Sequence, residues 1–482
     1  MPDKANQQVL YFPKEGIMKS VQQFPTPFFV YEEKKLRENC RNLKKTFEKY
    51  FPYFQPLYAV KANNNPTILK IIMEEGFGFD CSSESECRMV KKICEGEMKM
   101  SGNVNTMKVV SMYTGNYTPV ETLKFAKDCG MILNLDDVSN VAMLKEFCGG
   151  GGQSAVGDDK SVVGVPETLS FRVNPGIGKG GMESVVTAGP DAKFGVPFEK
   201  AAEAYKLAQE AGVKHFGIHM MTGSNVLDEE YFAKVVEKLL EIVADVKNKT
   251  GIKIEFLNIG GGFGVAYRPE EKSLDLDKVA RLIKETFDKQ CAKFGIKAPR
   301  LIAEPGRYIT ADMGFLVGKV VVIKDGYKKF VGIDAASNDM PRPSIYGAYH
   351  YVSVMKKGEF GGRVIMVENK KFVSEKSITG DTLTADRVIA SSKTEVVSVV
   401  GSICENNDQF AKDRELPVCE TGDIIVIHNC GGHAFAMGHH YNGKLLHAEY
   451  LLQENGELRM IRRAETFEDL YRTTTDFGRT KK

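Results

Sequence analysis

The residue types most able to do chemistry in this chain are a lysine after an apolar run, a triple glycine, and a glutamate with an arginine close behind. Lys61 ends the run YAVK and precedes ANNNP. Burial lowers the pKa of a lysine, and an amine so placed suits Schiff-base chemistry with a carbonyl. An ordinary surface lysine at a strand end would give the same pattern. Gly260, Gly261 and Gly262, in NIGGGFG, let the backbone approach an anion and aim N–H groups at it; a flexible turn uses the same residues. The stretch is not the GxGxxG of a dinucleotide site. In EPGRY, Glu304 offers a carboxylate to a cationic ring nitrogen and Arg307 a guanidinium to a carboxylate, or the two form a structural pair. His219 and Ser224, in GIHMMTGSN, are polar groups, and the serine can hydrogen-bond phosphate. Cys404 and Glu405, in GSICENND, put a thiol beside a carboxylate, a setting that more often means a small buried hydrophobe than an acid. His433, His439, His440 and His447 have no metal-type spacing with Cys430, so no metal is expected.

These residues need a frame. Apolar or β-branched runs at 56–60, 77–80, 109–112, 131–134, 168–173, 215–219, 254–259 and 300–303 read as strands. Helical patterns with charged faces separate them, at 33–50, 66–75, 83–94, 119–128, 138–147, 198–212, 229–249 and 274–295. Alternating βα units argue for a parallel sheet, and eight of them argue for a closed (β/α)8 barrel over an open sheet. Active sites of such barrels sit at the C-terminal ends of the strands. Lys61, His219, the triple glycine and Glu304 all follow such runs. Beyond residue 310, runs such as GFLVGKVVVIKDG, KTEVVSVVG and GDIIVIHN read as β structure. The fold class expected is therefore α/β plus all-β: a barrel over 28–308, and a sandwich- or barrel-like β domain made of 1–27 and 309–482. Residues 149–164 (GGGGQSAVGDDKSVVG) read as a flexible surface insertion.

Composition narrows the function. With 65 basic and 63 acidic residues the formal charge is +2, which offers nothing to drive binding along a phosphate backbone, so no nucleic-acid partner is expected. No apolar run reaches the ~20 residues of a membrane span, and the N-terminus has no signal- or transit-peptide pattern. Ten scattered cysteines without CxxC pairs fit free thiols in a reducing cytoplasm.

Taken together, a strand-one lysine, a glycine loop after strand seven and an acid after strand eight describe a pyridoxal phosphate site on a barrel. The chain resembles the fold-type III pyridoxal-phosphate decarboxylases (the alanine racemase and ornithine decarboxylase-like fold), and among them the diaminopimelate decarboxylase family. The motifs that carry the resemblance are YAVKANNNP, FDCSSESE, RVNPG, KFG, HMMTGSN, NIGGGFG, EPGR, NDMPRPSIYGAYH, CENND and AMGHHYNG. They span nearly the whole chain. The resemblance implies that Lys61 holds pyridoxal 5'-phosphate through its amine. It implies that Gly260, Gly261, Gly262, Ser224 and the backbone of Gly306 hold the phosphate. Glu304 would pair with the protonated ring nitrogen, with Asp80 and Arg172 in support and His219 and Arg307 beside the cofactor. The reaction implied is loss of CO2 from the D-centre of meso-2,6-diaminoheptanedioate to give L-lysine. Cys404 would return a proton to Cα. Arg307, Arg342 and Tyr346 would meet the distal carboxylate side and Glu405 the distal amine, with His433 touching both cofactor and substrate. In the family the Cys and Glu come from the partner subunit, which implies a homodimer with shared sites.

Three positions depart from the family pattern. Met221 stands where the family often has a histidine stacked on the cofactor, and a sulfur–aromatic contact would replace it. His433 stands for a usual tyrosine, and Ala192 for the serine of SKFG. The alternatives are another basic amino acid or a carboxylated polyamine decarboxylated on the same fold, racemisation, or a non-catalytic cofactor-binding relative. Glu304 speaks against racemisation, because a strong electron sink favours full electron withdrawal. Lys61 and Cys404 speak against a relic.

Overall fold

A computed structural model describes residues 11–101, 109–149, 165–176, 188–357, 364–368, 371–373 and 393–475. It divides into two compact units, one of residues 39–265 and 274–308, the other of 1–38, 266–273 and 309–482. Residues 150–164 of the glycine-rich insertion lie outside the described residues.

The first unit is the barrel. Its strands are Gln55–Ala59, Gly78–Cys81, Ser111–Tyr113, Ile132–Leu135, Thr168–Asn174, His215–His219, Ile254–Asn258 and Arg300–Ala303. Each pairs in parallel with its neighbours, and the ring closes where Ile302 of the eighth lies opposite Gln55 of the first. A short extra strand, Val196–Pro197, pairs with the fifth. The strands are buried almost throughout, as expected where one face fills the barrel and helices cover the other. Leu57, Met112, Phe256 and Ile302 form part of the interior.

The helices between strands have sharp, sequence-coded ends. Asp228 caps Glu229–Thr250 by accepting from Glu230 N at 3.2 Å, and Gly251 ends it in the left-handed region at φ 74°. Asp275 and Gly295 do the same for Leu276–Phe294. Sharp ends matter because each helix must return the chain to the barrel floor so that the next strand again points its C-terminus at the mouth.

The second unit is a mixed sheet. Phe28–Glu32 belongs to it, not to the barrel: it pairs antiparallel with Gly314–Asp325 and parallel with Ala448–Leu452. The boundary expected at 27/28 is therefore corrected to 38/39, inside the helix Glu33–Glu48. FFVYE is buried at every position, and Phe28 and Val30 join Phe315, Val317, Tyr351, Val426 and Tyr450 in the core of this unit. Residues 266–273 also join it. Asn429 Nδ2 donates to Ala266 O at 3.1 Å, and Arg342 and Arg268 lie over the rings of Tyr267 and Tyr349 at 4.6 and 4.2 Å. Among the described residues no helix is long and apolar enough to cross a membrane.

Candidate active site

The first strand runs into a single 3-10 turn, Val60–Ala62. Val60 and Ala62 are buried and pin the turn, and Lys61 between them is exposed. Asn65 then caps the helix Pro66–Glu74, accepting from Thr67 N at 3.0 Å. The loop after the eighth strand packs against this turn. A Cβ on Gly306 would lie 3.1 Å from that of Ala62 and 3.2 Å from that of Ala59, so only a glycine fits without displacement. Ala59 N donates to Pro305 O at 3.3 Å, which ties the two loops together.

The triple glycine follows the seventh strand. Gly260 and Gly262 have φ of 66° and 90°, where side-chain-bearing residues are strained. Space forbids a side chain as well: a Cβ would come within 2.6 Å of Met220 O at Gly260, 2.5 Å of Glu304 O at Gly261 and 2.8 Å of Gly223 O at Gly262. This loop and the sixth-strand loop are stitched together. Val226 N donates to Gly262 O at 2.9 Å, and Gly261 N donates to Met221 Sδ at 3.2 Å. The sulfur of the departing residue Met221 thus holds the middle glycine. Arg307 Nη2 donates to Ser224 Oγ at 3.4 Å, joining the loops after strands six and eight.

Glu304 is the electrostatic centre. Its partners are His219, whose Nε2 lies 3.1 Å from Oε2, and Asn258, whose Nδ2 donates to Oε1 at 2.6 Å. Burial pushes the carboxyl up, but His219, Lys61 and Asn258 together outweigh it and hold it below the usual carboxylate range. Asp80, next to last in the second strand, moves the other way. Its burial first, and then the charge of Glu304, push it up to about 8 despite Lys61 nearby. Two buried carboxylates thus share a small volume, one ionised and one held neutral at neutral pH. Arg172 is buried with its guanidinium over the Phe194 ring at 4.4 Å, and its charge acts with Asp136, Glu304 and Asp80. Asp136 in turn accepts from Gly195 N at 2.8 Å, so the KFG turn is fastened to the fourth strand.

The barrel unit therefore brings together Lys61, Asp80, Arg172, His219, Met221, Ser224, Gly260, Gly261, Gly262, Glu304, Gly306 and Arg307. Cys404, Glu405, Arg342, Tyr346 and His433 belong to the β unit. There Cys404 is exposed and its backbone N donates to Asn442 Oδ1 at 2.7 Å. Glu405 is exposed and accepts from Asn407 N at 3.3 Å. Arg342 opens the short helix Arg342–Tyr346 and is buried, with Nη1 2.8 Å from His350 Nε2. His350 Nδ1 lies 2.8 Å from His428 O, so it donates there and leaves Nε2 to accept from the guanidinium. His433 follows two glycines and has φ 57°.

Sequence reasoning missed Asn258 and Asp136. Each is a polar residue at the C-terminal end of an apolar barrel strand, which is a readable signal once the strands are assigned.

The arrangement can hold a cationic ring atom at Glu304, a phosphate on the glycine loop and a carbonyl carbon at Lys61. Residues 33–311 match the family model described as pyridoxal-dependent decarboxylase, pyridoxal binding domain. A diaminopimelate decarboxylase of Methanothermobacter thermautotrophicus is 35% identical, over 93% of this chain and 92% of that protein. Protein TabA of Pseudomonas amygdali pv. tabaci is 32% identical, over 92% of this chain and 90% of that one. The crystal structure of diaminopimelate decarboxylase from M. jannaschii in co-complex with L-lysine is similar, with a TM-score of 0.75, 27% identity and 98% of each chain covered.

Proposed function

The chain belongs to the diaminopimelate decarboxylases of the pyridoxal-dependent decarboxylase family, and on that premise we propose that it removes CO2 from meso-diaminopimelate to leave L-lysine, with Lys61 holding the cofactor. It is a carboxy-lyase and its cofactor is pyridoxal 5'-phosphate. The observation that carries the residue assignment is Glu304, a buried carboxylate kept ionised beside Lys61 and the glycine loop.

The residues present fit the cofactor. His219 Nδ1 is buried and has no hydrogen-bond partner among the described residues. The glycine loop has no room for Cβ atoms, and the N–H groups of Gly260 and Gly261 are held by Asn258 and Met221. The groups at the site are one amine, one ionised carboxylate, the Ser224 hydroxyl and the glycine loop. When bound, pyridoxal phosphate supplies the electron sink for the pair left when the bond from Cα to the carboxylate breaks.

The protein's own groups do the rest. Lys61 would hold the cofactor through its amine. Gly260, Gly261, Gly262, Ser224 and Gly306 bind the phosphate. Glu304 stays negative and so keeps the ring nitrogen protonated. Asp80, neutral at neutral pH, adds no second charge to compete. Arg172 and His219 fix Glu304 and its surroundings, and Met221 lines the ring face. Cys404 delivers a proton from Sγ to Cα. The distal end of the substrate carries an amine and a carboxylate, for which Glu405 and the group Arg307, Arg342 and Tyr346 are complementary, while His433 meets cofactor and substrate. A site built for a buried polar group rejects substrates lacking it by ~10^4–10^5.

Cys404 and Glu405 act across a homodimer, each completing the partner's site. The exposure of both side chains supports that reading. The described cysteines are free thiols, which supports a cytoplasmic location. The test is CO2 release by purified protein with added cofactor, with diaminopimelate, ornithine, arginine and a carboxylated polyamine in parallel. Release from diaminopimelate alone is expected. Comparable release from ornithine would overturn the substrate, and no release from any would overturn the reaction.

A further inference from the structure

We infer that Asn258 is a positioning residue that locks Glu304 and the glycine loop into one unit; the inference rests on the cofactor reading above. Asn258 ends the seventh strand and is fully buried. Its amide makes three hydrogen bonds: Nδ2 also donates to Met112 Sδ at 3.2 Å, and the other two have opposite sense. Nδ2 donates to Glu304 Oε1 at 2.6 Å, and Oδ1 accepts from Gly260 N at 2.9 Å. The backbone closes the ring, because Glu304 N donates to Gly260 O at 2.7 Å. Gly260 is thus held at its N–H by Asn258 and at its carbonyl by Glu304.

The sense of the amide is forced. Turned over, it would set its oxygen against a carboxylate oxygen and its NH2 against an N–H. His219 holds Oε2 of the same carboxylate. Each oxygen of Glu304 therefore has a side-chain partner, and the plane of the carboxylate is fixed. Asn258 contributes a hydrogen bond to a charged group in a dry place, where such bonds are strongest. It also transmits geometry. A shift of the phosphate-binding loop must move Asn258 and with it the acid. The ring end and the phosphate end of the cofactor are aligned by one side chain.

Two substitutions separate the two bonds. Asn258→Asp is nearly isosteric and keeps the acceptor for Gly260, but replaces the donor to Glu304 with a carboxylate oxygen. Two carboxylates so close cannot both ionise. Asn258→Ala removes both of these bonds and the one to Met112.

The experiment is a double-mutant cycle on the holoenzyme with Asn258→Asp, Glu304→Gln and their combination. Asn258→Asp should lower kcat about 10- to 100-fold, as loss of a supporting partner commonly does. It should also move the acid limb of the kcat/KM profile to higher pH. In the Glu304→Gln background the same change should cost less than about 3-fold, because it acts through Glu304. Additive losses, or an unmoved acid limb, would overturn the proposal. Cofactor release, followed by visible absorbance, should be at least about 10-fold easier from Asn258→Ala than from Asn258→Asp. Equal release would sever Asn258 from the loop. If Asn258→Asp does not fold, Asn258→Ser carries the same cycle. Glu304→Gln with wild-type kcat and pH profile would instead sink the cofactor reading itself, and is read from the single variant alone.

Discussion

In the barrel unit the charged groups of the site hold one another; in the β unit Cys404, proposed to return the proton, stands in the open. Glu304 is gripped by His219 and Asn258, and Arg172 rests on Phe194. Cys404 is fixed through its backbone by Asn442, and its thiol is exposed. The contrast separates two tasks. Stabilising charge on a cofactor needs dipoles and ions set in advance in a place that excludes water. Delivering one proton needs a group that reaches its target only when the site is assembled. Arg342 is the intermediate case, in the β unit yet buried and oriented by His350.

The contrast breaks most visibly at Lys61. Lys61→Ala should lose at least about 10^3-fold in kcat, a covalent-catalysis loss, together with the visible absorbance that forms on adding pyridoxal phosphate. Retained turnover would remove the barrel from the chemistry. Cys404→Ala should cost about 10^2- to 10^4-fold, the range for a positioned acid, while leaving that absorbance intact. An equal loss of absorbance would erase the division of labour between units.

The division also predicts complementation. Lys61→Ala and Cys404→Ala protein, each inactive alone, are denatured together and refolded as a mixture. If sites are shared across a homodimer, half the dimers are mixed and each has one intact site of two. About a quarter of wild-type activity should return, by the pairing arithmetic of a two-fold assembly. No recovery would place Cys404 and Lys61 in the same chain's site.

Much of this was legible because strands of the barrel are short, apolar and separated by amphipathic helices with clear caps. Lys61, the triple glycine and Glu304 were readable as strand-end residues before any fold was known. Phe28–Glu32 was not placed correctly, because a continuously apolar run is equally fit for a barrel strand and for a buried strand of a second sheet. Its partners lie at 314–317 and 448–452, and nothing local announces pairing at that distance. Asn258 was hidden for a related reason. A lone asparagine before glycines reads as a turn residue, and its second partner, Glu304, comes from the next strand. The pairing of Glu304 with Arg307, open from sequence, gives way to His219 and Asn258 on the acid and Ser224 on the arginine.

The smallest effect expected is on stability, and it sharpens the same contrast. Asp80 is raised from 3.8 to about 8 by burial and by Glu304. Between those values the folded chain holds a proton that the unfolded chain releases, so stability falls as pH rises through the window and levels off above it. Asp80→Asn removes the linkage. One pKa unit is worth about 1.4 kcal/mol, so even a quarter of the shift gives the variant an advantage on the order of 1 kcal/mol at pH 8. At pH 4 the two proteins should melt together. Glu405→Gln, at an exposed position, should differ from wild type by less than about 0.5 kcal/mol at either pH. Melting without added cofactor at pH 4, 6 and 8 checks both. A pH-independent gap for Asp80→Asn would mean that its carboxylate is not confined beside Glu304. With pyridoxal phosphate present the gap should narrow, because a cation at the ring end relieves the repulsion that the asparagine otherwise removes.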